Sequence, residues 1–207
     1  MIKQETVYEM RLVSALEKVF LDERPVYRPE CMKLTALKGE TVSFQAACTC
    51  TSFMKNRVKV RIESPISDRI HVRKVENVPA GRVCGPIVDD NYLKTESGLY
   101  PDLLRELVDG EVDIFPQKWR SIWIDIEVTE DVKAGLYPVT VILEKDGETL
   151  ARAATEVTIY DAVLPKQKMM HTEWFYLDCL ADYYHVPVFS EEHWEIITNY
   201  LKEYVKR

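Results

Sequence analysis

The chain has 207 residues, of which 46% are hydrophobic and 29% charged, a composition typical of a folded domain rather than a disordered one. Its net charge of -7 argues against nucleic acid or an anionic membrane surface as the main partner, because both would repel it. The first twenty residues lack the basic region and apolar core of a secretory signal, and no apolar run is long enough to span a membrane. We therefore expect a cytoplasmic protein with neutral or weakly charged ligands.

Residues 1–165 contain short runs in which apolar and polar residues alternate, separated by Gly, Pro, Asn and Asp. Alternation with a period of two predicts half-buried strands, and a series of such runs is typical of an antiparallel sandwich. The predicted strands are 8–20, 33–37, 41–50, 57–63, 70–78, 120–128, 137–144 and 150–160. We therefore predict a mainly β domain over residues 1–165, an antiparallel β-sandwich of Ig-like or jelly-roll type.

Turn residues between neighbouring runs predict two hairpins in this domain. Lys38-Gly39-Glu40 would join strands 33–37 and 41–50, and the tetrapeptide at 145–148, Lys-Asp-Gly-Glu, would join 137–144 and 150–160. Asp125 and Glu127 fall on the polar face of strand 120–128, which we expect to be solvated.

Residues 79–118 show no such periodicity and are predicted to form a long loop of functional or interfacial character. Tyr92 and Tyr100 lie in it, and Trp119 and Trp123 follow it. These aromatic side chains predict a seam against a second domain, with a carbohydrate platform as the alternative.

The last forty residues follow a different pattern from the first domain. Residues 168–175 are apolar on both faces, which predicts a buried strand, and an aromatic-rich loop follows them. Ser190 is a good N-cap for a helix, and Phe189 with Trp194 has the spacing of a hydrophobic staple. The apolar stripe of this helix consists of Trp194, Ile197, Leu201, Tyr204 and Val205.

One strand and one helix cannot bury their own apolar faces. We therefore predict that 161–167 is a linker and that 166–207 is a second domain, the first β/α unit of a truncated (β/α)8 barrel. The exposed segment 168–207 would also offer a surface for a homodimer.

Two stretches of the sequence carry a family resemblance. The first, WRSIWIDIEVTEDVKAGLYPVTVILEKDGETL at 119–150, combines a strand, an acidic turn, Ala-Gly-Leu-Tyr and a second strand. The second, HTEWFYLDCLADYYHVPVFSEEHW at 171–194, is more distinctive. Together they resemble family 123 glycoside hydrolases, in which the second stretch looks like the start of the catalytic barrel. The resemblance implies a β-sandwich followed by a (β/α)8 barrel, similar to proteins that act on N-acetylated hexosaminides.

The resemblance also limits the chemistry expected of this chain. A barrel active site lies at the C-terminal ends of the strands, and the family's Asp-Glu pair for substrate-assisted hydrolysis belongs to a later strand. We therefore predict no catalytic residue and no cofactor here. The expected function is a non-catalytic accessory domain of an N-acetylhexosaminidase-like parent, inactive alone, that supports the barrel and rims its carbohydrate cleft. The alternative is a stand-alone carbohydrate-binding or protein-interaction module.

Three residues near the end of the predicted barrel strand are candidates for substrate binding: Glu173, Trp174 and Asp178. An indole face stacks on the apolar face of a sugar, and a carboxylate accepts hydrogen bonds from sugar hydroxyls. The alternative is that Trp174 belongs to the core and Asp178 caps the loop.

Histidine and cysteine patterns give no second site. His171, His185 and His193 lack the spacing of a metal motif, so no metal is predicted and they are interpreted as ordinary core or surface residues. The five cysteines are interpreted as reduced, buried thiols. Cys179 lies in the apolar run LDCLADYY, which disfavours a nucleophile.

Overall fold

The computed structural model describes residues 6–26, 28, 32–81, 92–166, 168–170, 172 and 174–206. The chain divides into two compact units, Met1–Pro165 and Lys166–Arg207.

The described part of the first unit forms ten strands. They are β1 Tyr8–Ser14, β2 Lys33–Lys38, β3 Glu40–Cys50, β4 Asn56–Glu63, β5 Ile70–Ala80, β6 Gly98–Glu106, β7 Glu111–Ile114, β8 Arg120–Val128, β9 Gly135–Lys145 and β10 Glu148–Val163. One five-stranded sheet has the order β1-β3-β8-β5-β6, and the other has the order β2-β10-β9-β4-β7. The unit is mainly β, as predicted, and consists of two sheets.

The two sheets share one hydrophobic core. The first sheet contributes fully buried side chains from β3 and β8, and the second contributes them from β9 and β10. The largest of these are Phe44, Ile122, Ile124, Ile126, Leu143 and Ile159. Side chains alternate along each strand, so the same residues that alternate in sequence point to one shared interior.

The predicted hairpin at Gly39 is wrong. β2 and β3 lie in different sheets, and β2 pairs in parallel with β10, with Lys33 opposite Glu156. A type I′ hairpin turn needs positive φ at both central residues, and at this junction only Gly39, at φ 89°, has it. The chain crosses between the sheets at Gly39, whose amide donates to the Val128 carbonyl at 2.6 Å.

The second predicted hairpin is confirmed. β9 and β10 pair antiparallel with Lys145 opposite Glu148, leaving a two-residue loop. Asp146 and Gly147 both have positive φ, 52° and 84°. This is the backbone that a type I′ turn requires, and Asp-Gly is among the sequences that favour it.

The predicted loop 79–118 is also wrong as a whole, because it contains β6 and β7. The alternation is interrupted in β6, an edge strand of the first sheet that contains Pro101. It also contains a bulge at Asp102, where the register with β5 shifts. Proline and bulges are tolerated at edges, where ladder hydrogen bonds are already missing on one side. Edge exposure on both faces also removed the alternation that the prediction relied on.

The second unit has two helices, α1 Asp178–Tyr184 and α2 Glu191–Lys206. The helix predicted to begin after Ser190 is confirmed, since the Ser190 hydroxyl accepts a hydrogen bond from the His193 amide at 3.2 Å. Phe189 and Trp194 stack with ring centroids 5.7 Å apart, as the staple predicts. Of the predicted apolar stripe, Ile197 is fully buried, but Leu201, Tyr204 and Val205 are exposed.

The strand predicted at 168–175 is wrong, since none of its described residues is in a strand. A strand needs a neighbour for its backbone hydrogen bonds. Instead, the segment predicted as a loop forms α1, whose Leu180 and Ala181 are buried. Across the described residues, every helix is too short or too polar to cross a membrane.

Replacing Phe44 by Ala tests the shared core. Phe44 is fully buried, so we expect a loss of about 3–5 kcal/mol in the free energy of unfolding. The matched control is Phe53→Ala, since Phe53 is 85% exposed. It should stay within about 0.5 kcal/mol of the wild type in urea unfolding. Equal losses in the two variants would contradict this core.

Replacing Gly147 by Ala tests the turn between β9 and β10. A Cβ there meets no atom within 4 Å, so the whole effect comes from the positive φ and should be a loss of about 1 kcal/mol. Gly81→Ala is the control, because Gly81 also lies in open space but without positive φ. We expect it to be neutral or slightly stabilising in the same unfolding assay, and an equal loss would rule out the turn as the cause.

Candidate functional site

The segment before α1 carries two of the three predicted substrate residues. Trp174 is 88% exposed in the described second unit. Asp178 is exposed and opens α1, where its Oδ1 accepts the Cys179 amide hydrogen bond at 3.2 Å. Glu173 lies outside the described residues. Trp174 and Asp178 thus stand four positions apart on one exposed segment, with both side chains available to a ligand.

An open groove accompanies this segment. Thr172, Trp174, Phe175 and Tyr176 line a volume of about 370 Å³. Tyr176 is 72% exposed, so the groove presents two large aromatic side chains and a hydroxyl. Among the described residues, no cationic side chain lies within 4 Å of the Asp178 carboxylate. Within the described part of the chain, this carboxylate accepts the Cys179 amide hydrogen bond through Oδ1.

His193 is the polar residue that organises the second unit. Its side chain is fully buried in the first turn of α2. Nδ1 accepts a hydrogen bond from the Phe189 amide at 2.8 Å, and Nε2 lies 2.8 Å from the Leu177 carbonyl. A neutral imidazole has one N–H, so Nε2 carries the proton and donates it to Leu177. The spacing Ser190-x-x-His193 at a helix start was the available sequence signal for this residue.

The other histidines and the thiols contribute nothing comparable. His185 is exposed and ends α1 in the left-handed conformation, with φ 57°, and His171 lies outside the described residues. Within the described ranges, no group of three or more metal-ligating side chains is present. Cys48 and Cys50 are buried, and burial raises the pKa of the Cys48 thiol to about 12. Cys179 is exposed, contrary to the prediction of buried thiols.

A row of aromatic side chains runs along α1 and α2. Phe175 lies against Tyr200 and Tyr204, with centroid distances of 6.4 and 5.6 Å. Tyr200 continues the row to Tyr184, and their hydroxyl oxygens are 3.1 Å apart. The hydrogen bond to Tyr184 raises the pKa of Tyr200. The sequence pattern did not reveal this row, because its members come from three separate segments.

The aromatic side chains predicted to form a seam differ in exposure within the first unit. Trp119 is buried with Val13, Val19 and Ala47 and presents no surface. Tyr92 is 48% exposed, while Trp123 is half-buried.

Asp125 is buried rather than solvated, which corrects the prediction for this strand face. Its Oδ1 accepts hydrogen bonds from the Ser43 hydroxyl at 2.5 Å and the Trp123 indole N–H at 2.7 Å. The Arg73 guanidinium pairs with its Oδ2. These partners satisfy the Asp125 carboxylate, although Nε of Arg73 itself has no hydrogen-bond partner, and they explain why a carboxylate can be buried on the sheet face.

The sequence matches two known domain families. Residues 20–145 match the glycoside hydrolase 123 N-terminal domain, and residues 174–207 match the glycoside hydrolase 123 catalytic domain. The chain belongs to glycoside hydrolase family 123. The predicted resemblance is thereby confirmed, and the match to the catalytic domain covers the groove segment from Trp174 onward. No curated protein matches the chain.

Among solved structures, a family 123 glycoside hydrolase from Clostridium perfringens, studied for glycolipid glycan hydrolysis, is similar in fold. Its TM-score is 0.68 at 17% identity, and the match covers 97% of this chain and 36% of that one. The chain therefore spans about a third of that hydrolase.

Two other solved structures match the fold less well. The N-terminal domain of PorA gives a TM-score of 0.34 at 10% identity, covering 74% of this chain and 99% of its own. A ScaB type I cohesin from Pseudobacteroides cellulosolvens gives 0.32 at 11%, covering 78% and 98%. At these scores neither bears on function.

Thiol labelling tests the exposure of the groove segment. Cys179 is exposed, whereas Cys48 and Cys50 are buried and reachable only when the first unit opens. We expect iodoacetamide at pH 8 to label Cys179 at least roughly a hundredfold faster than Cys48, because opened molecules are rare. Peptide mass spectrometry measures each site. Labelling of Cys48 as fast as Cys179 would contradict the described burial.

Proposed function

We propose that this chain is the N-terminal part of a glycoside hydrolase that acts on N-acetylated hexosaminides. The first unit is its non-catalytic accessory β-sandwich, and the second unit is the beginning of its catalytic (β/α)8 barrel. The observation that carries the proposal is the match of the catalytic-domain family to residues 174–207, the segment that holds the groove. The hydrolase of similar fold acts on glycolipid glycans, which supports a carbohydrate substrate.

The groove residues suit a substrate-binding role. The exposed Trp174 offers a flat face for the apolar side of a sugar ring, and Tyr176 extends that surface. The Asp178 carboxylate, free of cationic partners among the described side chains, accepts hydrogen bonds from hydroxyl or amide groups. We include Glu173 in this role on the sequence alone.

Hydrolysis needs more than this groove supplies. Glycosidases hold two carboxyl groups near the scissile bond. In substrate-assisted enzymes the acetamido group of the substrate, rather than a carboxylate, attacks the anomeric carbon. In the proposal those groups come from later barrel strands, so no residue of this chain is catalytic. The exposed apolar side chains of the second unit, such as Met170 and Val205, are then covered by the rest of the barrel rather than by a second copy.

A second candidate is a stand-alone carbohydrate-binding or protein-interaction module. One observation favours it: the described residues of the predicted barrel strand adopt no strand, while α1 and α2 form without it. The three free cysteines among the described residues support the expectation of a reducing, cytoplasmic compartment for either candidate.

Sugar titration of the 207-residue chain tests the groove. N-acetylglucosamine and N-acetylgalactosamine should shift the Trp174 indole N–H resonance with dissociation constants on the order of millimolar, since one stacking platform and one carboxylate provide few contacts. Trp174→Ala and Asp178→Asn should each weaken binding about tenfold. Phe53→Ala and Asp182→Asn are the matched controls, an exposed aromatic residue elsewhere and an exposed carboxylate on the same helix.

A cleavage assay distinguishes the proposal from the stand-alone module. The chain alone should not cleave an aryl N-acetylhexosaminide, whereas the longer protein containing the whole family 123 catalytic domain should cleave it, with Trp174→Ala and Asp178→Asn raising its KM. Unchanged turnover and affinity in both variants would reject the groove as a substrate site. Turnover by the 207-residue chain alone would reject the proposal that its residues are not catalytic.

A further inference from the structure

The buried imidazole of His193 hydrogen-bonds to two segments of the second unit, in addition to the aromatic contacts that link α1 and α2. One is the Leu177 turn, immediately before α1, and the other is the Phe189 turn, immediately before α2. α1 has only seven residues, and a helix that short is not stable on its own in water. Its position therefore depends on tertiary bonds, of which the His193–Leu177 hydrogen bond lies at its N-terminal end.

Phe189, whose amide makes one of the two imidazole hydrogen bonds, adopts an unfavourable backbone conformation. Phe189 has φ 58°, in the left-handed region that a bulky side chain rarely adopts. Its amide donates to Nδ1 at 2.8 Å, and its ring lies 5.7 Å from the imidazole. The hydrogen bond offsets the backbone cost and leaves the Phe189 ring to stack on Trp194.

The other hydrogen bond, to the Leu177 carbonyl, links the imidazole to the groove segment. Leu177 lies between Tyr176, which lines the groove, and Asp178, the proposed hydrogen-bonding carboxylate. A carbonyl fixed at Leu177 restricts the backbone on both sides, and so restricts where these two side chains point. His193 itself is fully buried and does not reach a ligand, so any effect it has on binding passes through Leu177.

We propose that His193 is a positioning residue for the groove, acting in its Nε2–H form as a two-ended bracket between Leu177 and Phe189. The link to substrate binding rests on the proposed function of Trp174 and Asp178, whereas the bracket itself does not. If His193 only filled space in the core, an apolar side chain of similar volume could replace it without any effect on Leu177 or Phe189.

Two conservative variants separate the ends of the bracket. In His193→Asn, the side-chain oxygen takes the place of Nδ1 and keeps the Phe189 bond but loses the Leu177 bond. In His193→Gln, the amide nitrogen takes the place of Nε2 and keeps the Leu177 bond but leaves the Phe189 amide without its acceptor. His185→Asn is the matched control, since His185 is an exposed histidine in the same unit.

The first experiment measures the bracket in the full 207-residue chain. Nitrogen-15 NMR of the imidazole should show the proton on Nε2, and hydrogen exchange should show a protected Phe189 amide. That amide should exchange about tenfold faster in His193→Gln and nearly unchanged in His193→Asn and His185→Asn, as expected for one lost hydrogen bond. A proton on Nδ1 of the wild type would overturn the bracket even if a variant fails to fold. Equal exchange of the Phe189 amide in folded His193→Asn and His193→Gln would also overturn it.

The second experiment asks whether the bracket positions the groove. N-acetylglucosamine is titrated against the same variants, and His193→Asn should lose affinity about threefold to tenfold, while His193→Gln and His185→Asn stay near the wild type. If Trp174→Ala weakens binding but His193→Asn does not, the positioning role is wrong. If neither Trp174→Ala nor Asp178→Asn changes binding, the proposed function fails and the positioning role fails with it, although the exchange data still establish the bracket.

Discussion

The apolar faces of the two sheets must be removed from water, and each sheet has only the other sheet for this. Phe44 and Ile124 on one side and Val141 and Leu143 on the other are all fully buried. Burying one such side chain contributes roughly 1.5–3 kcal/mol, more than a surface ion pair or a turn residue. The crossing at Gly39 follows from this constraint, because it places β2 and β3 on opposite sides of one core.

The opposite face of the first sheet is organised by polar satisfaction instead. Gln45 donates from its side chain to the carbonyls of Ser14 and Glu17, at 2.9 and 2.8 Å, and accepts from the Ser121 hydroxyl at 2.6 Å. These bonds hold the segment after β1 against the sheet, where Val19 and Trp119 form a small apolar cluster. Asp125 is buried on the same face by its own partners, whereas Glu127, two positions further along β8, is exposed.

The second unit shows how a short segment acquires structure without a large core. Ile197 and His193 are fully buried, and around them the unit depends on hydrogen bonds to backbone groups and on aromatic contacts. Such a unit is locally ordered but leaves much apolar surface in water, including Trp174 and Met170. Under the proposed function, further elements of the barrel would cover this apolar surface and carry the hydrolytic groups.

The sequence predicted those features whose conformation depends only on residues close together in the chain. The Asp146-Gly147 turn and the Ser190 cap were predicted because their backbone conformations depend on a few neighbouring residues. The alternation of β8 was predicted because both of its neighbours in the sheet are strands of the same unit. In contrast, β6 was missed because an edge strand with Pro101 and a bulge at Asp102 lacks the alternation of a half-buried strand.

By itself, the sequence determined the mainly β character of residues 1–165, the helix α2 and the family, since each rests on a local pattern or motif. Tertiary structure alone decided that β2 pairs in parallel with β10, that Asp125 is buried and that His193 joins Leu177 to Phe189. The physical reason is that each of these depends on partners distant in sequence. A hydrogen bond or a buried face is fixed by what lies across from it, and a linear pattern does not record that.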